Sequence, residues 1–154
     1  MTTPDSRVWL RAALDDLGQA RAHLAFSSAR VVAFDFARAA PSPEELERVE
    51  AYTSRFARVV DLLVNKALRA LDRHELMGEG TLLDVLHRAE KRGLIPAAEA
   101  FRAMKEVRNI IAHDYSGAEL AGLLVFCRAR EVALLAACDR VTDYANTRLS
   151  VAPQ

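Results

Sequence analysis

SPEELERVEAYTSRFARVVDLLVNKALRA, residues 42–70, is the stretch whose reading decides the fold. It opens on Ser42, with Pro43 at the first helical position and Glu45 three residues after the serine. That pattern closes a capping box and pre-sets the entering backbone. Val49, Tyr52, Phe56, Val59, Leu63, Lys66 and Ala70 then recur alternately three and four residues apart. Such a stripe over about 30 residues predicts an amphipathic helix roughly 45 Å long. Val60 and Leu71 widen the stripe into a face suited to packing within a bundle rather than to an independent coiled coil.

Working outward, Asp5 or Ser6 is placed to cap a first helix whose apolar face runs through Trp9, Ala13, Leu17, Ala20 and Leu24. Val31-Val32-Ala33-Phe34 has a strand-like composition, but the chain offers no second strand to bond it. Residues 26–36 are therefore read as helix, with a kink near Ser27-Ser28, ending in the linker Ala39-Ala40-Pro41. On the other side, Gly78-Glu79-Gly80 makes a turn, and Thr81-Leu82-Leu83-Asp84 opens a short helix to about Arg92. Gly93 suits the left-handed position after it, with Leu94 packing back. Pro96 starts a helix carrying Phe101, Met104, Val107 and Ile111. Ser116-Gly117-Ala118-Glu119 caps a last long helix to about Arg148, burying Leu120, Leu123, Leu124, Cys127, Leu134, Leu135, Cys138 and Val141. Nothing marks a second domain or an internal repeat. The expectation is a single helical domain over 1–154, with an N-terminal helical region at 1–40 and a core at 42–149. Its fold class is all-α, an antiparallel bundle of four to five helices.

Composition agrees. Among 154 residues Ala occurs 28 times and Leu 20 times, against 6 Gly and 5 Pro, so helix formers dominate. The 21 Lys+Arg balance 21 Asp+Glu, which excludes a broadly basic nucleic-acid binder but not a local basic patch. Arg outnumbers Lys 18 to 3. The excess fits phosphate or carboxylate recognition, but the codon usage of a GC-rich genome, which also fits the abundant Ala, is the favoured reading. Cys127 and Cys138 would lie about 16 Å apart on one helix, too far for a mutual disulfide, and are read as buried structural thiols. The first residues lack a basic segment followed by an apolar one, and no uncharged run reaches membrane-spanning length, so a cytoplasmic protein is expected.

His23, His74 and His87 have no carboxylate or histidine at ligand spacing, and no metal or cofactor is expected. Lys105-Glu106-Val107-Arg108-Asn109-Ile110-Ile111-Ala112-His113-Asp114-Tyr115 stands apart. It gathers a cation, an amide, an imidazole, a carboxylate and a phenol at a helix end. Asn109 and His113, four apart, share a helical face. Arg108 and His113, five apart, would point about 140° from one another on a straight helix. For those two to serve one site, the helix must unwind near Ala112 or two copies must meet. Read as structure alone, the same residues make a satisfied helix terminus, with His113 against the dipole, Arg108 paired with an Asp or Glu, and Tyr115 packed as a lid.

Arg108-Asn109-x-x-x-His113-x-Tyr115 resembles the signature of HEPN domains, in particular the HepT-like branch and its nucleotidyltransferase-substrate-binding relatives. The similarity spans roughly residues 44–146. The resemblance implies a homodimeric helical bundle acting as a metal-independent endoribonuclease, the toxin of a type VII-like toxin–antitoxin pair. It implies His113 as general base on the ribose 2′-hydroxyl, Arg108 on the scissile phosphate, and Asn109 orienting the histidine or binding phosphate. It implies Tyr115 as the acceptor of AMP from a cognate minimal nucleotidyltransferase antitoxin. The alternative within the family is a non-catalytic nucleotidyltransferase-binding module. Imidazole chemistry near neutrality, a guanidinium facing developing phosphate charge, and the 2′-hydroxyl that RNA itself supplies are consistent with the catalytic roles.

Overall fold

Ser42 caps its helix as its sequence requires: its hydroxyl accepts from the Glu45 backbone N–H, and the Glu45 carboxylate accepts from the Ser42 N–H. In a computed structural model describing residues 4–111 and 117–150, this cap opens α2 (Pro43–Asp61). The rod continues through a π-helical segment (Leu62–Ala67) into α3 (Leu68–His74). Before it lies α1 (Pro4–Val31), and after it come α4 (Leu82–Lys91), α5 (Ala98–Ile111) and α6 (Gly117–Ser150). No strand occurs among the described residues. The chain is all-α.

Side-chain contacts give the directions. Ser6 lies beside His74 and Ser27 beside Arg55, so α1 runs antiparallel to the rod at 43–74. Arg7 donates to the Leu149 carbonyl, Arg21 pairs with Asp139 at 2.8 Å, and Ser28 donates to Glu131, so α6 also runs antiparallel to α1. The α4 and α5 helices pack on the other side of the central rod. One core joins all of these, with Tyr52, Phe56, Leu63, Leu71, Phe101 and Leu120 fully buried.

The short helix is bounded as expected. Thr81 and Asp84 form a second capping box. At the other end Gly93 takes φ +73°, and the Leu94 and Gly93 N–H groups donate to the Ala89 and Glu90 carbonyls. This is the Schellman geometry, and Leu94 is buried behind it.

Three expectations change. First, the helix does not run to Phe36: α1 is unbroken past Ser27-Ser28 but stops at Val31. Asp35 is the reason, because its carboxylate accepts from the Ala37 N–H and folds 33–38 into turns, a local bond that competes with helix. Phe34 and Phe36 then meet edge-to-face, 4.7 Å between centroids, against the core. Second, Trp9 is off the core face and 52% exposed, while Leu10, one residue round the helix, is fully buried. Third, Lys66 is exposed and Ala70 half-buried, although both sit on the stripe of the sequence. In a π segment each turn takes up more than four residues, so the core positions after Leu63 and Val64 become Ala67, Leu68 and Leu71. Smaller shifts are the start of α5 at Ala98 rather than Pro96, and half-burial of Val107, Ile111 and Leu135. The expected cap at Ser116 falls outside the described residues.

Candidate functional site

The last turn of α5 carries Arg108 and Asn109. The face of α5 bearing Phe101 and Met104 is buried, which fixes the helix against α2 and brings Lys105 and Arg108 to the start of the π segment. There Asp61 Oδ1 accepts from Lys105 Nζ at 2.8 Å and from Asn65 Nδ2 at 2.8 Å, with Arg108 Nε at 3.7 Å. Burial works against the Asp61 carboxylate. The hydrogen bonds from Lys105 and Asn65 and the charges of Lys105 and Arg108 outweigh it and hold the carboxyl below its usual range.

Arg108 keeps 36% of its side chain exposed and reaches Asn109 Oδ1 at 3.4 Å. Asn109 itself is exposed. The structure thus brings Arg108 and Asn109 together and ties the arginine to Asp61. His113 and Tyr115 lie outside the described residues. Chemically, the described part offers a guanidinium and an amide at a helix end, able to bind an oxyanion.

From Arg102 to Arg108 the sequence places three cations, Arg102, Lys105 and Arg108, against one anion, Glu106, but most of that charge is matched in space. Arg102 pairs with Glu99 at 3.4 Å and with Glu106 at 3.5 Å, and Lys105 is matched by Asp61. Arg108 is the motif cation with the least complete neutralisation. Sequence reasoning did not single out Asp61 or Asn65. Their signal was there: an acid and an amide four apart, on one helical face.

No protein-family model matches the chain, and no curated protein or solved structure matches it. The site's reading therefore rests on its own residues.

Elsewhere, the histidines read as structural or solvated behave differently from one another. His23 and His87 are exposed, whereas His74 is buried with its Nδ1 3.2 Å from Ser6 Oγ. Burial and the Arg7 charge lower its pKa. Cys127 and Cys138 are both buried, which pushes each thiol up to about 12. Among the described residues no group of three or more His, Cys, Asp or Glu could hold a metal ion, and no helix is long and apolar enough to cross a membrane.

Proposed function

We propose that this chain is a HepT-like HEPN toxin, a metal-independent endoribonuclease of the cytoplasm that works as a homodimer. The observation that carries the reading is Arg108: a part-exposed guanidinium at the last described turn of α5, steadied by Asp61, in the sequence Arg108-Asn109-x-x-x-His113-x-Tyr115. In this reading Arg108 and Asn109 bind the scissile phosphate of RNA, and His113 takes the proton of the adjacent 2′-hydroxyl. The 2′-oxygen–phosphorus bond forms and the bond from phosphorus to the 5′-oxygen breaks, leaving a cyclic phosphate and a 5′-hydroxyl protonated by solvent. No metal is needed, because the guanidinium supplies the positive charge the transition state requires. A partner nucleotidyltransferase silences the toxin by transferring AMP to Tyr115.

Induced expression tests it. Growth arrest relieved by both His113→Ala and Arg108→Ala supports the ribonuclease; equal toxicity of wild type and His113→Ala rejects it. Mass spectrometry after co-expression with a minimal nucleotidyltransferase reads AMP on Tyr115, and silencing that persists in Tyr115→Phe rejects that step. The internal pairing of Arg102 and Lys105 favours a second reading, a non-catalytic module that binds the nucleotidyltransferase. That module forms the complex and cuts no RNA.

A further inference from the structure

Away from the motif, a row of cations runs from the π segment into α3. Lys66, Arg69 and Arg73 are spaced three and four apart and so share one face, a row about 10 Å long. No ion pair joins any of them to a carboxylate among the described residues, although Arg69 donates to the Gly80 carbonyl at 3.0 Å. Opposite them on α1 stands Trp9, the only tryptophan of the chain. It is 52% exposed, with the Arg73 guanidinium over its ring at 4.4 Å. Between the two helices lies a cavity of about 390 Å³, lined by Trp9, Asn65, Lys66, Arg69 and Arg73, with Asp16 as its acid. A second hollow of about 310 Å³ shares Arg69 and Arg73 and is of mixed charge, adding Glu79 and Arg88, the latter paired with Asp72.

The cavity joins the candidate site through one side chain. Asn65 lines it and also donates to Asp61, the carboxylate on which Lys105 and Arg108 converge. A surface that pairs a cation row with a half-exposed indole, one face under Arg73, in a pocket of single-nucleotide size suits an unpaired strand, whose phosphates meet the cations and whose base stacks on the uncovered ring face. A duplex keeps its bases inside and cannot use the indole. An acidic peptide would satisfy the cations and leave the ring idle.

We infer that the groove between α1 and α3 holds the single-stranded RNA flanking the scissile phosphate, with a base on Trp9 and phosphates along Lys66, Arg69 and Arg73. This inference rests on the RNA-directed reading of Arg108 and His113. It adds a site for the strand that the motif alone does not provide.

The test uses the full-length His113→Ala chain, which binds without cutting, and an unstructured oligouridylate of about ten nucleotides. The oligonucleotide should quench the fluorescence of Trp9, a signal that needs no further substitution. With labelled RNA followed by anisotropy, Trp9→Ala should weaken binding about tenfold. Lys66→Glu and Arg73→Glu should each flatten the slope of log affinity against log salt by about 0.7 for every phosphate no longer neutralised. Arg30→Glu, about 31 Å along α1 from Trp9, should bind as the parent does. Circular dichroism checks that each variant keeps its helices.

Absence of quenching, or parental affinity in both Trp9→Ala and Lys66→Glu, overturns the groove. So does polyglutamate that quenches Trp9 and competes as well as RNA does, since the surface would then be an acidic-protein dock. Cleavage is scored separately on the wild-type chain. RNA held on the groove but never cut sinks the ribonuclease reading and keeps the groove. RNA cut normally by Trp9→Ala and Lys66→Glu sinks the groove and keeps the ribonuclease.

Discussion

Asp61 and Lys105, 44 residues apart in sequence, meet at 2.8 Å where the π segment begins, and this pair anchors the end of α5 to the central rod. The anchor gives Arg108 a fixed neighbour while leaving the guanidinium partly open. Asp61→Asn keeps the shape and removes the charge, so we expect a loss of about 0.5–1 kcal/mol, the scale of a solvent-accessible pair. The sign with pH follows from the depressed carboxyl. Its contribution is complete above the ordinary value of 3.8 and is lost as pH falls through the lower folded value. Acid unfolding of wild type should therefore be steeper below about pH 4 than that of Asp61→Asn, as read by helicity against pH.

A second carboxylate sits where α6 would otherwise be apolar. Glu131 lies on the seam between Cys127 and Leu134, accepting from the fully buried Tyr52 at 2.7 Å and from Ser28 at 2.8 Å. Burial, then the bond to Glu131, raises the Tyr52 pKa above its ordinary 10.0. A raised folded value means that stability is full below pH 10 and falls as pH climbs beyond it. Tyr52→Phe should cost about 1–3 kcal/mol at neutral pH by urea unfolding, and should lose much of that alkaline decline. An unchanged midpoint would show the bond to be idle.

Asp72 should prove the most sensitive polar position. It is 4% exposed and takes Arg88 at 3.2 Å and Arg92, which also reaches Glu75 at 3.3 Å. These contacts bind α4 to α3. Removing the carboxylate leaves Arg92, 12% exposed, with Glu75 as its one remaining acid, and Arg88 with only the Gly78 carbonyl. Asp72→Ala should destabilise the fold by about 3 kcal/mol or more, with a lowered thermal midpoint. Restoring a carboxylate by Asp72→Glu should recover part of it.

Gly93→Ala tests the end of α4. Its φ of +73° is left-handed and nothing crowds the added methyl, so the cost is backbone strain alone, about 1 kcal/mol.

The two thiols make a simpler measurement. Each is buried with its pKa near 12, so the native chain should not react with a thiol reagent at pH 8, while both groups react after unfolding. Prompt native labelling would contradict their place in the core.

The sequence alone determined the local events: the capping box at Ser42, the helix start at Thr81, the glycine stop after α4, the absence of a partner for Val31-Val32 as a strand, and hence an all-α chain. Each depends on hydrogen bonds and spacings within a few residues, which the order of side chains specifies directly. It also supplied the motif from Arg108 to Tyr115. Tertiary structure decided what the order could not. It placed Trp9 outside and Leu10 inside, a difference of one helical step settled by which helix lies opposite. The π segment turned Lys66 outward, because packing on α1 and α4 fixed both ends of the rod. Asp61 was set under Lys105 and Arg108, and Arg102 was matched by Glu99 and Glu106, so the cations nearest the motif are largely paired. A charge's partner is chosen by distance in space, and distance in space comes only from packing.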